Sequence, residues 1–182
     1  ASMTGIEKLV VNSTNNDEDA SIDLTNVTGL TEVTANFLTS GDGDQIEIDK
    51  LPAGVTVKAK FTGDDASSDP DILDIGAADA SSTTTAVTVQ VDAALTATDD
   101  SVNIDAAGVE TFTLYNKSGA ATNVFDLAGV APTTGSKTKI IVTGVGATLK
   151  TLATDVDTVD GAAATGAITI AAADRPDTAM TI

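Results

Sequence analysis

The residues best suited to chemistry in this chain are carboxylates, and they occur in groups. Gly41-Asp42-Gly43-Asp44-Gln45-Ile46 sets two Asp among two Gly just ahead of an apolar residue. Glycine permits a tight turn, carboxylates and carbonyls offer hard oxygen ligands, and Ile46 anchors the strand that follows; the combination suits a calcium ion. A second group is Asp64, Asp65, Asp69, Asp71 and Asp74, and a third is Asp99, Asp100, Asn103 and Asp105. Five carboxylates between positions 64 and 74 repel one another unless water or a cation screens them. The candidate metal ligands are therefore Asp42, Asp44, Asp64, Asp65, Asp69, Asp71, Asp99, Asp100 and Asn103, with calcium as the ion. The runs Asn15 to Asp19 and Asp155, Asp157, Asp160 are weaker candidates. A solvated charged loop is the plain alternative for each group, and none has the D-x-[DN]-x-[DN]-G spacing of an EF-hand.

Other chemistry is poorly supplied. The chain has no Cys and no His, which removes disulfides, Cys/His zinc sites, thiol nucleophiles and every triad with a His base. Paired carboxylates could hydrolyse glycosidic bonds. Such sites add aromatic platforms, Arg or His, whereas Tyr115 is the only Tyr, Arg175 the only Arg, and Trp is absent. An enzyme is therefore not expected. The formal net charge of -18 leaves nucleic acid a poor partner, because phosphate neutralisation needs clustered Lys and Arg. Anionic membrane surfaces are disfavoured for the same reason, and no apolar run approaches the roughly 20 residues of a membrane span. Divalent cations are the natural counter-charge, although acidity alone also keeps an extracellular surface soluble.

The elements that must carry these acids repeat. Ala20 to Ala35, ASIDLTNVTGLTEVTA, joins two short alternating patterns through a corner at Thr28-Gly29. It returns from Asp44 to Ala59 as DQIEIDKLPAGVTVKA and from Asp100 to Leu114 as DSVNIDAAGVETFTL. On the spacing of the first two copies Ile22 stacks near Ile46, Leu24 near Ile48, Val27 near Leu51 and Val33 near Val57. Val55, Val57, Ala59 and Phe61 alternate with outward Lys58 and Lys60, and Val87, Val89 and Val91 alternate in the same way. No long amphipathic helix is present, and Ala77 to Ala80 and Ala162 to Ala164 are the only stretches suited to helical turns. Aromatics are scarce, which a thin stacked interior tolerates better than a globular core does. The expected class is all-β: a parallel β-helix, or β-solenoid, with irregular loop insertions. The alternative is a β-sandwich, which fits the strand spacing but has no reason to repeat its sequence. Residues 1–182 read as one elongated solenoid segment of a larger protein.

GIEKLVV, GLTEVTA and GVETFTLY resemble the G-[VI]-E-x-[LF]-x-[VL] strand repeats of bacterial surface-layer (S-layer) proteins of the type I-secreted kind. The Asp44-x-Ile46 stretch is similar to part of the RTX nonapeptide GGxGxDxUx that accompanies them, without the regular array. The resemblance implies an extracellular location at the bacterial cell surface. It also implies a rigid calcium-supported scaffold that self-associates in a surface lattice or contacts other domains of the same protein. Related repeats occur in large secreted adhesins, so a stalk or ligand-binding module of an adhesin is the alternative function, and a polysaccharide-active β-helix is a third.

Overall fold

Each stretch of period-two alternation becomes a strand, because successive side chains on a strand point to opposite faces and only one face here is apolar. In the computed structural model, residues 3–13, 19–37, 45–61, 72–79, 85–92, 101–120, 123–133 and 135–171 are described. The first half of the chain forms β1 (Met3–Thr4), β2 (Lys8–Ser13), β3 (Ala20–Asp23), β4 (Val27–Thr28), β5 (Glu32–Phe37), β6 (Gln45–Leu51), β7 (Thr56–Phe61) and β8 (Ile72–Ala77). The second half forms β9 (Ala86–Val91), β10 (Ser101–Ala107), β11 (Thr111–Asn116), β12 (Val124–Ala131), β13 (Thr138–Gly144), β14 (Ala147–Lys150), β15 (Val156–Asp160) and β16 (Ile168–Ile170).

The long strands feed two separate sheets in alternation. The first sheet runs β2-β5-β7-β9-β11-β13-β15 and the second runs β3-β6-β8-β10-β12-β14-β16, while β1 and β4 pair at a corner. Every pairing is parallel. Each coil thus contributes one strand to each sheet and stacks on the coil before it. This is a parallel β-solenoid, and the sandwich alternative, which needs antiparallel sheets, does not hold. The stretches suited to helical turns take other forms: Ala77 ends β8, Ala78 and Asp79 make a turn, and Ala164 forms a parallel bridge to Gly144. Ala80 lies outside the described residues. Among the described residues no helix is long and apolar enough to cross a membrane.

The core is the narrow space between the sheets. Val33, Val57 and Val89 stack in one column and Ile48 on Ile75 in the facing sheet, all fully buried. Phe37, Phe112 and Phe125 are the largest buried side chains. Val55, Ala59, Val87 and Val91 face inward as the alternation requires, with Lys58 half-buried and Lys60 exposed on the other face. The Phe61 side chain lies outside the described set.

The expected stacking holds in one sheet and is corrected in the other. In the first sheet Lys8 pairs with Glu32, Glu32 with Thr56 and Val33 with Val57, so the spacing read from the sequence is the spacing of the coils. In the second sheet Ile22 pairs with Ile48, not Ile46, and Ala20 takes Ile46. The link from Ser13 to Ala20 is two residues shorter than the link from Phe37 to Ile46, and the next corner returns the difference. An offset of two preserves which side chains face inward; an offset of one would invert them. The corners themselves use left-handed backbone at Gly29 (φ 87°) and Gly54 (φ 80°), where a side chain would be strained. Leu30 and Val55, each directly after its glycine, turn into the core.

Candidate functional site

Of the predicted ligands, only Asn103 falls in described structure. Asp42, Asp44, Asp64, Asp65, Asp69, Asp71, Asp99 and Asp100 lie outside the described residues. Asn103 sits on β10 beside Ile72 of β8 and Asp126 of β12.

The structure does bring two of the sequence groups together. Asp74, from the second group, and Asp105, from the third, are direct partners across β8 and β10. Glu47 of β6 is the partner of Asp74 on its other side. Three carboxylates therefore occupy one outward column on three neighbouring strands, at the roughly 4.8 Å spacing of adjacent strands. Asp23 and Asp49 are partners in a parallel column two residues along. In all, the strands of the second sheet carry six acids, Asp23, Glu47, Asp49, Asp74, Asp105 and Asp126, against Lys50 and Lys150, so this face is strongly negative. Like charges directly opposite one another destabilise a sheet. The Asp74 carboxyl is accordingly pushed above the usual carboxylate range, first by partial burial and then by Asp105, Glu47 and Asp49.

Neighbouring groups hold individual acids of this face. Asp23 accepts hydrogen bonds from the Thr25 hydroxyl at 2.5 Å and the Thr25 amide at 2.7 Å, which hold its carboxyl below the ordinary value, with Lys50 contributing. Lys50 itself adopts left-handed backbone (φ 58°) where the β6 register shifts between Ile48 and Leu51. Asp126 accepts from the Thr151 hydroxyl at 3.1 Å and the Ala128 amide at 3.2 Å. The Asp105 carboxylate lies over Gly129 of the next strand, in space that a Cβ at 129 would occupy. Calcium would find hard oxygens along this face, but among the described residues no three acids converge closely enough to hold a metal ion.

No protein-family model, curated protein or solved structure matches this chain significantly.

The first sheet differs in character. Its strands carry four lysines and three acids, and most of the charges pair. Glu32 takes Lys58 at 2.6 Å and Lys8 at 3.3 Å, and both lysines keep its carboxyl low. Asp160 pairs with Lys139 at 2.8 Å, and Asp155, just ahead of β15, with Lys137 at 3.0 Å. Two of the three acids in the run Asp155, Asp157, Asp160 are thus neutralised by lysines. A buried carboxylate that sequence reasoning passes over is Glu110, which accepts from the Thr85 amide at 3.0 Å, the Thr133 amide at 3.2 Å and the Thr133 hydroxyl at 2.8 Å. It ties together three successive coils. Glu47 is likewise overlooked as a partner of Asp74. The signal available is parity: Glu47, Asp74 and Asp105 each sit between inward apolar residues, as in I-E-I, L-D-I and I-D-A.

Proposed function

We propose that the chain is a structural segment of a bacterial surface-layer protein, a rigid scaffold rather than an enzyme. The observation that carries the reading is the acidic outer face of a continuous parallel solenoid, with a carboxylate on each of β3, β6, β8, β10 and β12. Two parallel sheets that run the length of the stack supply stiffness, and a face of hard oxygens favours divalent cations over water-exposed repulsion. The resemblance of GIEKLVV, GLTEVTA and GVETFTLY to surface-layer repeats supports the same reading. In it, calcium lowers the repulsion among the acidic corners and the face, and self-association or contact with neighbouring domains builds the lattice outside the cell.

The test is thermal melting in chelator and in millimolar calcium. The expected result is a higher melting temperature in calcium, reduced by replacing Asp42 and Asp44 with Ala. An unchanged melting temperature removes calcium from the proposal. For the lattice, electron microscopy of the full-length parent in calcium should show two-dimensional arrays, and a monomeric parent counts against the reading.

A further inference from the structure

We infer that Asn26 is the glycan-acceptor site of the folded chain: the corner Asn26-Val27-Thr28 takes an N-linked sugar from a nucleotide-activated hexose and a transferase. The inference is independent of the surface-layer reading. The acceptor pattern N-x-[ST] occurs three times, as Asn12-Ser13-Thr14, Asn26-Val27-Thr28 and Asn116-Lys117-Ser118. A glycan is bulky and solubilising, so a folded chain carries one only on a side chain that stands at the surface. Transfer joins the Asn Nδ2 to the anomeric carbon and breaks that carbon's bond to phosphate oxygen. The nucleoside diphosphate leaves, and the amide gives up one proton. The acceptor therefore needs an Nδ2 hydrogen that the fold does not use, and a hydroxyl two residues on that can be reached with it.

The fold separates the three. Asn116 is fully buried, and its Nδ2 donates to the Gly146 carbonyl at 2.6 Å and the Ala120 carbonyl at 2.9 Å. The hydroxyl of the same pattern, on Ser118, donates back to Asn116 Oδ1 at 2.7 Å. This copy is a structural corner, and a sugar on it would break the bond to Gly146 that ties two coils. Asn12 lies in β2, held by the ladder to β5, and its Oδ1 accepts from Asn36 Nδ2 at 2.8 Å. Its Thr14 lies outside the described residues. Asn26 differs from both. The Val27 amide donates to the Leu24 carbonyl at 3.0 Å and closes a turn with Thr25 and Asn26 at its tip. Leu24 and Val27, the ends of that turn, face the core, whereas Asn26 and Thr28 stand exposed on either side of Val27. The Thr25 amide and hydroxyl brace the turn on Asp23, and the Asn26 carboxamide takes no part in it. Among the described residues that carboxamide has no hydrogen-bond partner.

The test incubates the folded full chain with UDP-glucose and a soluble N-glycosyltransferase and maps the glucosylated peptides by mass spectrometry. Synthetic peptides spanning each copy of the pattern give its reactivity without the fold. Asn26 should be glucosylated in the chain as readily as in its peptide, Asn12 more slowly than in its peptide, and Asn116 in its peptide alone. Asn26→Gln should lose the sugar at the corner, and Thr28→Val, which keeps Asn26, should lose most of it. The glucosylated chain should keep the circular dichroism spectrum of the unmodified one. An unmodified Asn26, in the chain or in its peptide, overturns the inference, and so does an Asn116 modified as fast in the folded chain as in its peptide.

Discussion

Glu110 is the only charged side chain buried among the described residues, and its environment explains why it is tolerated. A buried carboxylate is costly unless its oxygens are satisfied, and both oxygens here accept bonds from neighbouring coils. Glu110→Ala would remove the carboxylate that the Thr85 and Thr133 amides donate to and should lower unfolding free energy by about 2–4 kcal/mol, measured by urea denaturation. Glu110→Gln keeps one acceptor oxygen and should lose about half as much. Asp74 presents the opposite case. Its raised pKa means that the folded chain holds the proton more tightly than the unfolded chain. Its charge therefore costs stability at neutral pH, and the cost fades as pH falls toward 3.8. Asp23, Glu32 and Asp160 run the other way: their lowered values add stability above the ordinary carboxylate range that is lost as pH falls through those values. Asp23 is exposed and Glu32 and Asp160 are half-buried at the surface, where solvent screens them, so their share is small. Asp74→Asn should raise stability at pH 7 by about 0.5–1 kcal/mol, with the gain vanishing near pH 4, as read from melts across that range.

At the scale of the strand, parity governs the fold. The step from Ala20 to Ile46 in the second sheet is longer by two than the step from Lys8 to Glu32 in the first, and the even difference keeps Ile46 and Ile48 inside. Insertion of one glycine between Pro52 and Val55 would turn Val57 and Ala59 outward and Lys58 inward. That variant should lose cooperative melting, while insertion of two glycines there should melt within a few degrees of the parent. The same rule shows what is legible in the sequence. Inward positions such as Val33, Val57 and Val89 can be read because alternation is local, and Val33 and Val57 also keep the strict spacing of the first coils. Cross-strand neighbours are harder. The interval from Glu47 to Asp74 differs from that between Asp74 and Asp105, because each is fixed by the length of the intervening links, which alternation does not encode. The acidic corners draw attention as clusters in sequence, whereas the acidic column is a cluster only in space.

For the molecule as a whole, the repeat and the scarcity of aromatics already distinguish a stack of thin coils from a globular core. Irregular insertions do not hide this, because each coil needs only one strand in register per sheet, and the links between strands are free to vary. What composition leaves open is how charge divides between faces. The net charge of -18 is one number, yet the first sheet balances its acids with lysines while the second does not. Among the described residues each coil also pairs its long strands only with those of its immediate neighbours, through two parallel ladders that run the same way from β2 and β3 to β15 and β16. Under a load applied along the stack, such a chain does not shear as one body. It sheds coils singly from an end, and each coil released, such as the one between the stacked Asn12 and Asn36, pays out on the order of 80 Å of slack. The molecule is in that sense a ratcheted tether, stiff until one rung yields and then longer by one measured step.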